Sequence, residues 1–154
     1  MAERLSPHFT IAEAEHSNTA KARNISNALT NRDHIICAVH TSIFVLEPIR
    51  DQFGPFSPNS WYRSADLNAA VGGSSKSDHC KGRAVDIEIK GVDNLRLAHW
   101  ISENLEFDQL ISEMYVPGDP RSGWVHVSFR LDNNRMQRLT YTTDRKYIQG
   151  LPEL

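Results

Sequence analysis

The chain has 154 residues, 40% hydrophobic and 23% charged, with a formal net charge of −2. That length supports one domain with a real core. The near-neutral balance gives no reason to expect a nucleic acid or an anionic membrane as partner, because both are bound through a basic excess that releases counterions.

The opening MAERLSPHFTIAEAEHS lacks an apolar h-region and a small-residue cleavage site, so synthesis in the cytosol without a secretory signal is expected. Within it, Thr10 followed by Glu13, with apolar Phe9 just before, reads as a capped helix start. Residues 17–30 are polar and suggest a loop or broken helix. Asn31 is placed to cap a longer helix, on which Ile35, Ile36, Val39, Ile43, Leu46 and Ile49 form a stripe toward the core. Pro48 should kink or shorten its last turn. Cys37 belongs to that helix and Cys80 to a polar loop, an arrangement that does not suggest a disulfide framework.

GPFSPNS is turn chemistry, and the following WYRSADLNAAVGGSSKSDHCKG reads as surface loop around a short helix. RAVDIEI then alternates as a strand, with Val85, Ile87 and Ile89 on one face and Ala84, Asp86 and Glu88 on the other. Asn94 is the expected cap of a third helix. DQLISEMYV and GWVHVSFRL read as two strands of an antiparallel hairpin turned by PGDPRS. LTYTT suggests one more strand without an assigned neighbour. The arginines and lysine at 130, 135, 138, 145 and 146 are interleaved with acidic and amide residues and read as solvated surface. No repeat or linker divides the chain, which is expected to be one α+β domain over residues 1–154, with N-terminal helices packed on a small, mainly antiparallel sheet. A monomer is expected.

Chemistry enters through three residues. His126 shares the polar face of its strand with Trp124 and Ser128, as Asp86 stands on the polar face of its own strand. If the two strands share a sheet, both side chains project from the face opposite the core, and His79 lies at the loop that feeds the Asp86 strand. Two imidazoles and a carboxylate suit Zn²⁺ and leave a fourth position for water. A hydrolase of this kind needs a proton shuttle. Glu113, on the strand before the hairpin turn, is the first choice and Asp119, in the turn, the second. Arg63 is placed to steady developing negative charge.

The run Ser77-x-His79-x-x-Gly82-x-Ala84-x-Asp86, followed by Trp124-Val-His126, resembles the zinc-dependent D-alanyl-D-alanine carboxypeptidases of peptidase family M15, with their hedgehog-like fold. LSPHFTIAEAEHS, LEPIR, WYRS, LNAAVGG and FDQLISE are similar to the variant often encoded by bacteriophages. The resemblance implies zinc at His79, Asp86 and His126, with Arg63 and Ser77 toward substrate. It further implies a peptidoglycan stem peptide or cross-bridge as partner, and action on the cell wall after release. Trp124, beside His126, is a further candidate to wall the cleft and bind substrate, with plain core as its alternative. Two positions depart from the pattern: Gly123 stands where many relatives carry the catalytic acid, and Trp124 where others carry a histidine. A zinc-stabilised binding or virion module without catalysis is the alternative, favoured if the fourth position is closed, for instance by Cys80.

Overall fold

The computed structural model describes residues 3–154. Helix α1 (Ile11–Glu15) begins as expected: the Thr10 side chain accepts from the Glu13 amide and the Glu13 carboxylate accepts from the Thr10 amide. Such a reciprocal cap satisfies two amides that have no partner inside the helix. A short α2 (Asn18–Ala22) interrupts the polar stretch that follows.

Asn31 caps α3 (Arg32–Thr41), and the helical path runs on through a wide turn over Ser42–Leu46 into α4 (Glu47–Phe53). Pro48 therefore does not end the helix. In the wide turn the Glu47 amide reaches back to the Ser42 carbonyl, which opens the ladder just where the proline ring would press on the preceding turn. The core stripe also differs from the expected one. Ala38, Thr41, Ser42, Val45, Leu46 and Ile49 are buried, whereas Ile36 and Ile43 are exposed. Small residues win on this face because the backbone of a loop presses against it: a Cβ at Gly82 would come within 2.9 Å of the His34 carbonyl oxygen and 3.3 Å of the Ala38 methyl.

Five strands form one sheet in the order β1-β3-β2-β4-β5: β1 (Ala84–Ile87), β2 (Gln109–Glu113), β3 (Trp124–Ser128), β4 (Gln137–Tyr141) and β5 (Tyr147–Gln149). Three of the four pairings are antiparallel, and only β2 with β4 is parallel, so the mainly antiparallel α+β expectation holds. β2 and β3 make the expected hairpin, and the first three residues of LTYTT belong to β4. Ahead of β1, α5 (Ala65–Ala70) starts at the Ser64 cap, and between β1 and β2, α6 (Asn94–Asn104) starts at Asp93 rather than Asn94. The Asp93 carboxylate takes the Leu95 amide, which frees the Asn94 side chain to donate to the carbonyls of Ser122 and Gly123 and pin the β2–β3 turn.

Val85, Ile87, Leu110, Val125 and Val127 line one sheet face and pack under Val45, Leu46, Ile49, Leu97, Ile101 and Phe107, all essentially inaccessible. Each such aliphatic side chain contributes about 1.5–3 kcal/mol of burial free energy. With that face committed to the core, period-2 alternation sends Asp86, His126, Ile111 and Glu113 to the other. Among the described residues, no helix is long and apolar enough to cross a membrane.

Candidate metal centre

Asp86 on β1 and His126 on β3 are direct cross-strand partners. Their side chains meet, His126 Nδ1 lying 3.0 Å from Asp86 Oδ1. The third group comes from the loop. Ser77 accepts the His79 amide and opens a single 3₁₀ turn over Asp78–Lys81, closed by Gly82 at φ +74°, a conformation that favours glycine. The Gly82 carbonyl is gripped from two sides, by Thr41 Oγ1 at 3.0 Å and by Trp61 Nε1 at 3.1 Å. The turn so fixed aims His79 Nε2 at Asp86 Oδ2, 3.3 Å away. One ligand atom from each of His79, Asp86 and His126 falls within a 4.8 Å group.

The hydrogen bonds test whether a cation fits. His79 Nδ1 is 2.7 Å from the Trp61 carbonyl, which can only accept, so the ring proton sits on Nδ1. Nε2 is then a bare lone pair, buried and without a hydrogen-bond partner, facing a carboxylate oxygen. Burial pushes the His79 pKa down against the pull of Asp86, keeping the imidazole neutral. Burial alone would raise the Asp86 pKa, but the neighbouring imidazoles carry it far below the usual carboxylate range. A lone pair and a carboxylate left face to face repel each other unless a cation lies between them. The donor set of two imidazole nitrogens and one carboxylate suits zinc, and the Trp61 carbonyl is the outer partner that fixes a ligating histidine's tautomer.

Arg63 reaches the same carboxylate, Nη2 lying 4.0 Å from Asp86 Oδ2. Its segment is not the surface loop expected: Trp61 and Tyr62 are buried, Ser60 bridges to Asp86, and the Arg63 amide donates to the His79 carbonyl. Asn68, buried on α5, accepts from Arg63 Nη1 at 3.2 Å and donates to the Ser74 carbonyl. Asn68 was not among the residues singled out from the sequence. Its signal was a lone amide on the buried side of a short helix.

A cleft of about 460 Å³ opens over this group, with Ser77, Arg63 and Glu113 on its lining. Glu113 pairs with Trp124 and not with His126, whose partner is Ile111, so it stands one step diagonally from the imidazole. Burial raises the Glu113 pKa, with His126 opposing and Asp86 reinforcing. Trp124 stands beside Glu113 but is not on the cleft lining, and Trp61 is core, packed edge-on to Phe9. Asp119 is exposed and spent inside its turn, accepting from the Arg121 amide, so the fold does not bring it to the cleft. Cys80 is likewise not in the ligand group, and the two cysteines are free.

The departure at Gly123 has a steric cause. Gly123 has φ +67°, and a Cβ there would overlap the Glu113 carbonyl oxygen, so this turn excludes a side chain at that position.

Fold and site together define an α+β protein whose sheet carries a His–Asp–His group able to hold a metal. The family model described as Peptidase M15 matches residues 7–128, and the chain belongs to that peptidase family. No curated protein matches the chain.

Proposed function

We propose that the protein is a zinc-dependent peptidase of bacterial peptidoglycan, hydrolysing an amide bond of the stem peptide or its cross-bridge. The observation that carries this reading is the orphaned Nε2 of His79, locked by Trp61 into the tautomer that offers a lone pair to a cation beside Asp86. His79, Asp86 and His126 would hold the ion, which when bound supplies Lewis acidity that activates water and polarises the scissile carbonyl.

The chain's own residues supply the rest. Glu113, partly desolvated and with a raised pKa, takes the proton of the attacking water and returns it to the leaving amine. Arg63, braced by Asn68, faces the carboxylate side of the group and steadies negative charge growing on the carbonyl oxygen. Ser77 holds the histidine turn and lines the cleft. The likeness to phage-type sequences supports a wall-degrading role in lysis or virion delivery, acting after release from the cytosol.

The test combines metal content with mass spectrometry of muropeptides after digestion of purified peptidoglycan. His126→Ala should lose zinc and hydrolysis together, whereas Glu113→Ala should keep zinc and lose hydrolysis. Full activity in Glu113→Ala would sink the proton-transfer role, and an intact digest with zinc-loaded wild type would sink the substrate.

A further inference from the structure

Among the basic residues near the C-terminus, Arg145 and Lys146 are the solvated surface expected, but Arg130 and Arg135 are not. Arg130 and Arg135 both line the cleft, and both lie past residue 128, where the family match ends. Asp108, just ahead of β2 and with a side chain only 1% exposed, anchors them from behind. Its Oδ1 accepts from Arg135 Nε at 3.0 Å and its Oδ2 from Arg135 Nη2 at 2.8 Å, while Arg130 Nε lies 3.4 Å from Oδ2. The Arg135 amide donates to Oδ1 as well. Arg135 is held by these hydrogen bonds and Arg130 by charge alone, its Nε lacking a hydrogen-bond partner, and both side chains keep surface toward solvent, at 55% and 42% exposed.

Charge and position sharpen the picture. Lys76, Arg130 and Arg135 line the cleft, and Asp78, also on its lining, is approached by Arg130 at 3.7 Å and by Arg83 at 4.0 Å. The anchoring Asp108 stands three residues along the chain from Ile111, the partner of His126, so the anchor lies roughly 10 Å from the metal group along the strand direction. Glu113 marks the opposite end of β2.

We propose that Arg130 and Arg135 form an anion subsite that binds an internal carboxylate of the substrate peptide, borne about three residues from the scissile amide. The inference rests on the peptidase reading above and adds to it a preference for acidic stem peptides. A planar carboxylate matches the fork of donors that a guanidinium presents, and a charge-assisted contact of this kind favours the charged ligand over its neutral amide.

The experiment compares two soluble stem peptides that differ only in whether the acidic residues carry free or amidated carboxyl groups. Zinc-loaded wild type should turn over the free form with a KM roughly tenfold lower, an advantage that shrinks as salt is raised. Arg130→Gln should bring the ratio between the two peptides close to one. Arg135→Lys, which keeps a charge but loses the fork, should reduce it partly. Zinc content and melting temperature of each variant report on folding, and the salt series on wild type stands if a variant does not fold. Equal turnover of the two peptides by wild type, or an undiminished ratio in a folded Arg130→Gln, overturns the subsite. Turnover of neither peptide by wild type overturns the peptidase reading, and the subsite with it.

Discussion

Two aspartates in this molecule sit among partners that differ in one respect. Asp108 is met by two guanidiniums, which carry their charge at any accessible pH. Burial alone would raise its pKa, yet the Arg135 hydrogen bonds bring it below the usual range. Asp86 is met by two imidazoles and, at 4.0 Å, one arginine. One of those imidazoles is held neutral, with a lone pair pointing at the carboxylate. The first carboxylate already has its cations, whose outer edges remain for an anion, whereas the second is one cation short. A buried carboxylate surrounded by neutralisable donors marks a site for something to bind; one surrounded by fixed cations marks a structural anchor.

That contrast can be broken by substitution, and the largest effect should come from Asp86. Asp86→Ala should abolish zinc binding and reduce hydrolysis below detection, as read by metal analysis and muropeptide release. A chelator should likewise lower the melting temperature of wild type, because metal bound only to the native state stabilises it by about 4 kcal/mol at a thousand times its dissociation constant. Chelation should not lower that of Asp86→Ala.

Glu113→Gln comes next, with a loss of about 10²–10⁴-fold in kcat and zinc retained. The base must be ionised to work, so activity should rise with pH as Glu113 loses its proton. Its raised pKa places that limb above the ordinary glutamate value of about 4.3. The limb should vanish from the residual activity of Glu113→Gln.

Asp108→Asn should act on stability instead, costing about 2 kcal/mol by denaturant unfolding with zinc content unchanged. The pH dependence has a definite sign. A depressed folded-state pKa contributes stability that is fully present above the unfolded value of about 3.9 and is lost as pH falls through the lower folded value. The gap between wild type and Asp108→Asn should therefore narrow in acid. Smallest of all, Arg130→Gln should change stability by less than about 1 kcal/mol, since its side chain is half exposed and Arg135 still holds Asp108.

Much of the architecture was legible in residue order. The Thr10–Glu13 cap, the Asn31 cap, the alternation in AVDI and in WVHVS, and the hairpin between β2 and β3 all follow from local chemistry. Alternation also put Asp86 and His126 on one face once the strands were taken as neighbours, because a strand with a buried apolar face has no choice about where its other side chains go. Local patterning failed where another backbone approached. Apolar periodicity points to Ile36 and Ile43, yet the buried stripe is that of Ala38 and Thr41, since nothing in the helix announces that a glycine turn will press on it.

The sequence by itself determined the ligand types, the strands that carry two of them and the turn that carries the third. Tertiary structure decided what those residues can do. The Trp61 carbonyl sets the His79 tautomer, Asn68 braces Arg63, and Asp108 gathers two distant arginines at the cleft. The first and last of these are contacts between segments far apart in the chain, and the first is made by a backbone atom that every residue possesses. Spacing encodes which side chains share a face. It does not encode which carbonyl or carboxylate stands behind them, and here those partners separate the carboxylate that already has its cations from the one that wants a metal.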